Sequence, residues 1–157
     1  MTRYLLDTNV LSSGAPGRPG HAPELVRWMV RHTEHLYLSV LTLSEIDQGI
    51  AKARRQGASR RATLLSEWVE AVILLYANRV LPIDVAAARL AGALADLASP
   101  KGHAPGFVDV AIAATARVND LTILTRNLRH FAPLGVPAWD PFVALPQDST
   151  GISPGRY

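Results

Sequence analysis

The 157-residue chain contains no cysteine. That excludes disulfides and thiolate-held metals, and it disfavours zinc. Lysine is nearly missing too, with only Lys52 and Lys101, so arginine supplies fourteen of the sixteen basic residues. No long apolar run occurs: the longest uncharged apolar stretch, 71–77, is far too short to cross a bilayer. The first residues turn acidic at Asp7 and hold no signal-peptide core, which predicts a cytoplasmic protein with no membrane partner. A glycine-rich loop followed by Lys-Ser/Thr is missing, which argues against nucleotide hydrolysis of that type. No Ser-His-Asp arrangement can be argued from spacing. The five histidines form no metal motif and read as surface or loop residues.

What is present is a globular composition: 48% hydrophobic and 18% charged residues, enough to bury one core and too apolar for a disordered chain. The formal net charge of +3 is unevenly supplied, since Lys52, Arg54, Arg55, Arg60 and Arg61 fall within ten positions. Guanidinium clusters suit phosphate oxygens, although a solvated helix end has the same look.

Short apolar runs alternate with amphipathic stretches, predicting an α/β fold with a parallel sheet. Strands are expected at 3–6, 36–39, 79–83, 121–125 and 136–139. Pro82 puts the third of these at an edge or strand end. Helices are expected at 23–32, 41–56, 59–78, 85–98 (with Asp84 as N-cap) and 109–119. Gly57 separates two of them, and 14–23 and 101–106 read as loops. Residues 1–143 form one domain, and 144–157 read as a disordered tail.

Polar groups recur where these apolar segments end or begin. Asp7 closes the first strand, Glu45 follows Leu43-Ser44, Asp109 opens a helix with almost no polar face in its first turns, and Asn127 follows the run 121–124. Each has a plainer explanation. Asp7 suits an N-cap if residues 8–12 are helical, and Thr42-Leu43-Ser44-Glu45 matches the capping-box pattern. Asp109 complements a helix dipole, and Asn127 suits a turn. Taken together, the acids lack basic neighbours within two positions. If they converge, like charges about 4 Å apart repel by roughly 4 kcal/mol at an effective dielectric of 20. A divalent cation reverses that sign, and oxygen donors select magnesium or manganese. Such a site can activate water and neutralise charge on a phosphate.

These residues resemble a known family. Leu5-Leu6-Asp7-Thr8-Asn9-Val10-Leu11, Leu43-Ser44-Glu45-Ile46, the run Asp109-Val110-Ala111-Ile112-Ala113-Ala114-Thr115-Ala116 and Leu121-Thr122-Ile123-Leu124-Thr125-Arg126-Asn127 look like PIN-domain ribonucleases. Within them the chain is most similar to VapC toxins of the FitB-like branch. The resemblance implies a Rossmann-like sheet flanked by helices and an endoribonuclease dependent on Mg2+ or Mn2+. Asp7, Glu45 and Asp109 would be its metal-holding acids and Asn127 the fourth position. Thr8 and Thr125 would hold metal-bound waters and Asn9 would brace Asp7, while Arg18 and Arg126 would hold RNA phosphates. The family often carries an acid three residues beyond Asn127, where this chain has His130. The resemblance further implies a VapB-like antitoxin, operator DNA reached only through the antitoxin complex, and a homodimer. Trp28, Met29, Leu64, Leu65, Trp68 and Val72 would then supply exposed apolar surface. The alternatives are a weakened site kept for partner or DNA binding, and an aspartyl phosphotransfer domain. If the acids repel, losing a charge at Asp7 or Asp109 should leave metal-free stability unchanged or raised.

Overall fold

β1 (Tyr4–Leu6) is the central strand of a five-stranded, wholly parallel sheet of order β3-β2-β1-β4-β5 in this computed structural model. The structure describes residues 1–17, 22–102 and 104–147. β2 (Leu36–Ser39) pairs Leu36 with Tyr4, and β4 (Thr122–Leu124) pairs Ile123 with Leu5. β3 (Val80–Leu81) and β5 (Ala138–Trp139) form the two edges. Pro82, directly after β3, cannot donate to a ladder, consistent with the short edge strand there.

Among the described residues seven α-helices accompany the strands: α1 (Thr8–Leu11), α2 (Pro23–Arg31), α3 (Val40–Arg55), α4 (Ser59–Tyr76), α5 (Val85–Ala98), α6 (Phe107–Val118) and α7 (Leu128–Phe131). Side chains alternate across the sheet with the period of two that a strand imposes. Leu6 and Leu124 enter one core with Leu36, Leu38, Trp28 and Ile46. Leu5 and Ile123 enter the opposite core with Leu94, Ile112 and Phe131. The wholly apolar start of α6 is thereby explained: Val110 to Ala116 is buried without a break.

Several expectations need correction. α6 begins at Phe107, two residues earlier than expected, with Gly106 as its N-cap, so Asp109 lies inside the first turn rather than opening it. The Thr42–Glu45 capping box does not form. α3 starts at Val40, and Ser39 caps it by accepting the Leu41 amide at 3.1 Å. Thr42 is fully buried, and its hydroxyl has no hydrogen-bond partner. Trp28, Met29 and Val72 are core residues, not exposed apolar surface. Along α4 the exposed apolar residues are Leu64, Ile73, Leu74 and Leu75, while Leu65 and Trp68 are partly buried. Asp84 does cap α5, accepting the Ala87 amide at 2.8 Å. Arg18 and residues 148–157, most of the expected tail, lie outside the described residues.

The two cap assignments for α3 predict opposite outcomes for Thr42→Val. Replacing an unpartnered buried hydroxyl with an isosteric methyl should stabilise the domain by about 1 kcal/mol. Loss of a working cap would cost about the same amount. Urea unfolding of the two proteins decides between them.

Candidate active site

Parallel strands direct their carboxyl ends to one edge of the sheet, and it is there that open α/β sheets bind ligands. Asp7 stands immediately after β1 and Thr125 immediately after β4. The two strand ends are stitched together, the Asp7 amide donating to Leu124 O at 2.9 Å.

The Asp7 side chain is almost wholly occupied. Its Oδ1 accepts the Thr8 amide at 2.8 Å, which caps α1. Its Oδ2 accepts Asn9 Nδ2 at 2.8 Å and the Thr125 hydroxyl at 2.7 Å. Asp7 is 7% exposed, and Thr125 is fully buried. Thr125 Oγ1 in turn accepts the Asn127 amide at 3.0 Å, and Asn9 Oδ1 accepts the Arg126 amide at 3.1 Å. A carboxylate offers about four lone-pair positions, so roughly one is left for a ligand in the cleft.

Glu45 reaches the same place from the second turn of α3, where its Oε2 accepts the Thr8 hydroxyl. Asp109 reaches it from the first turn of α6, and its Oδ2 lies 3.0 Å from His130 Nδ1 on α7. Asp7, Thr8, Asn9, Glu45, Asp109, Asn127 and His130 thus line one open cleft of about 520 Å³, together with Ser12 and the segment Gly106-Phe107-Val108. Asn127 is the N-cap residue of α7 but makes no side-chain capping bond there, so turn-capping does not account for its amide.

The electrostatics follow from this packing. Burial pushes the Asp7 carboxyl above the ordinary aspartate value, against the lowering effect of Thr125 and Thr8, and the charge of Asp109 pushes it the same way. Burial likewise raises Glu45; Thr8 opposes this, and the charges of Asp7 and Asp109 add to it. Acids whose ionised forms are disfavoured by burial and by a neighbouring carboxylate, as at Asp7 and Glu45, fit a cation, and their donors are all oxygen, suited to a hard ion. As the side chains stand, no group of three His, Cys, Asp or Glu residues among those described is arranged to hold an ion. Glu45 is turned to Thr8 and Asp109 to His130.

Two residues fall elsewhere. Arg126 lies with its Cζ 3.7 Å from the Phe142 ring centroid and lines a separate cleft with Pro23 and Pro141. Thr125 is spent on Asp7 and Asn127 in the core, not turned to solvent. His130 is not the plain surface or loop residue expected from the sequence: it contacts Asp109 in the cleft. Its position one turn into α7, three residues after Asn127, was the available signal.

Both raised carboxyls bind protons more tightly folded than unfolded. Their contribution to stability is fully present below the unfolded value and is lost as pH rises through the folded one. In metal-free buffer, Glu45→Gln should therefore raise Tm at pH 7, by about 2 °C, with the gain shrinking towards pH 4. Gln retains an oxygen for the Thr8 hydroxyl. Asp7→Asn differs: one amide oxygen cannot serve three donors, so stability should fall by about 1–2 kcal/mol. That outcome reverses the unchanged or raised stability expected from repulsion alone. Thermal melts in a chelating buffer at the two pH values test both.

Comparison with known proteins gives a consistent result. A family model described as PIN domain matches residues 4–134. The toxin FitB of Neisseria gonorrhoeae is 34% identical over 140 residues, covering 88% of this chain and 97% of FitB. The VapC ribonuclease Y4jK of Sinorhizobium fredii is 33% identical over 142 residues, covering 87% and 98%. Among solved structures, FitAcB from Neisseria gonorrhoeae superposes with a TM-score of 0.77 at 30% identity, covering 88% of this chain and 98% of that one. DNA-bound VapBC from Salmonella typhimurium gives 0.73 at 28% identity, covering 89% and 98%. The sheet order, the acids at its carboxyl edge and these likenesses converge: the chain belongs to the PIN-domain family, among proteins of the FitB and VapC kind.

Proposed function

We propose that the protein is a metal-dependent endoribonuclease and the toxin of a VapBC-type toxin–antitoxin pair. The observation that carries this reading is the convergence of Asp7, Glu45 and Asp109, with the neutral Asn127, on one cleft at the carboxyl edge of the sheet. Relatives support the two halves of the proposal separately: one is a VapC ribonuclease, and two solved neighbours are FitAB and VapBC assemblies bound to DNA. A VapB-like antitoxin is the proposed partner, with operator DNA reached through that complex and self-association as a homodimer. No helix among the described residues is long and apolar enough to cross a membrane.

Asp7, Asp109 and Glu45 would hold Mg2+ or Mn2+, with Asn127 adding an amide oxygen. When bound, the ion supplies positive charge against the phosphate and lowers the pKa of water. The chain's own contribution is orientation. Thr8, Asn9 and Thr125 fix Asp7 on the cleft wall, so the carboxylate needs little further ordering to meet a ligand. The Thr8 hydroxyl holds Glu45 in the cleft, from where its carboxylate would turn to ligate the ion or orient the attacking water. His130 steers Asp109 from the far wall of the cleft. RNA cleavage at such a site is a displacement at phosphorus: water oxygen bonds to phosphorus as the bond to the leaving sugar oxygen breaks.

The neutral Asn127 and the engagement of Asp109 by His130 are what favour the weakened-site reading, and the same experiments address it. Purified wild type should cleave single-stranded RNA with Mg2+ or Mn2+ and not in a chelator. Asp109→Asn should cut at least a hundredfold more slowly, and retained activity would remove Asp109 from the site. By manganese calorimetry, Asn127→Asp should bind more tightly, because it adds a charge beside the ion. Asn127→Ala should lose far less affinity than Asp109→Ala. Unchanged affinity and stoichiometry in Asn127→Asp would exclude Asn127 from the ligand set and leave the three acids.

A further inference from the structure

Three clefts meet at the acids. The acid cleft shares Thr8, Ser12 and Glu45 with a cleft of about 350 Å³ between α3 and α4, whose far wall carries Lys52 and Arg61. On its other side it shares Gly106, Asp109 and His130 with one of about 300 Å³ bounded by Arg129 and Pro133. A polyanion laid along this path meets cations at both ends and the carboxylates in the middle. At the middle stands Phe107, the first residue of α6, 71% exposed although it lines the acid cleft.

Nothing in the fold requires this ring. The helix behind it is already anchored by Val110, Ile112, Ala113 and Ala114, all buried. A phenyl group held in water forfeits the stabilisation that burial would bring. Isolated apolar residues are ordinary on protein surfaces, but this one is two positions from Asp109 on the wall of a cleft otherwise lined largely by polar groups. Flat aromatic faces beside a cationic track are how proteins hold unpaired bases, which stack whatever their sequence.

We propose that Phe107 is a substrate-positioning residue: a base adjoining the scissile phosphate leaves its neighbours and stacks on the Phe107 ring, so the cleft takes unpaired RNA at that nucleotide. The inference rests on the ribonuclease reading and adds to it the residue that seats the base beside the scissile phosphate. A ring that fixes the flanking base fixes its phosphate against the acids, and this acts mainly on binding. Duplex RNA keeps that base stacked and paired, and is therefore a poor substrate at this point.

The test uses the full chain, Mg2+ and a 12-nucleotide single-stranded RNA with its cut site mapped. A single abasic position is then walked across the nucleotides beside the cut. Phe107→Ala and Phe107→Leu should each lower kcat/KM about tenfold, chiefly through KM, and Phe107→Trp should retain the wild-type value. An abasic site at the stacked position should cost wild type about the same factor and cost Phe107→Ala nothing more. Because the ring is exposed, the variants should melt like wild type. Full activity in Phe107→Leu overturns the proposal, as does an abasic penalty equally large in Phe107→Ala. So does a variant that handles RNA normally but binds the antitoxin less tightly, which would make the ring a protein contact. If wild type cleaves no RNA at all, the ribonuclease reading fails first and the proposal falls with it.

Discussion

One carboxylate organises this end of the molecule. Asp7 must terminate β1, cap α1 and remain a buried anion, and a buried anion is tolerated only when it is hydrogen-bonded. Thr8, Asn9 and Thr125 meet that requirement, and each of them does a second job. Thr8 also holds Glu45 from α3, Asn9 also receives the Arg126 amide, and Thr125 also receives the Asn127 amide. Elements far apart in the chain are thus referenced to one pair of oxygens. Those oxygens fix the entry to α1 and the turn after β4 together.

The same arrangement accounts for the electrostatics. Desolvation disfavours charge on Asp7 and Glu45; Asp7 also feels the charge of Asp109, and Glu45 those of Asp7 and Asp109. Hydrogen bonding offsets part of that cost at Asp7, but a carboxylate that accepts three donors cannot turn to meet a ligand. The adjustable members are Glu45 and Asp109, each held by one partner and more exposed than Asp7. A site with one rigid acid and two movable ones suits an ion that arrives with its substrate. It also explains how the acids can share a cleft without already forming a closed ligand shell.

Much of the fold was legible because it follows from local rules. β2 and α5 occupy the expected residues, and Asp84 caps α5 as its position before Val85 suggested. Short apolar strands alternating with amphipathic helices implied a parallel sheet, which is the architecture seen. The four-residue helix α7 is too short for a periodic signal, so it was missed, and with it the placement of His130. The capping-box match at Thr42 failed because Ser39, three residues earlier, starts α3 while Thr42 packs into the interior. Exposure was the hardest property to read. Trp28 and Met29 on α2 and Leu74 and Leu75 on α4 are all apolar, yet only packing against the sheet makes the first pair core and the second pair surface. The acids could be picked out one at a time, whereas the Thr125–Asp7 bond, spanning 118 positions, belongs to the folded chain alone.

The central claim is that these acids form a metal centre. It is tested most directly by crystals of the protein grown or soaked with Mn2+ and measured at the manganese absorption edge. The account predicts an anomalous peak in the acid cleft, bonded to carboxylate oxygens of Asp7 and Asp109, with Glu45 turned from Thr8 towards it. A cleft without a peak at saturating Mn2+, or manganese held only by residues elsewhere on the surface, would contradict it.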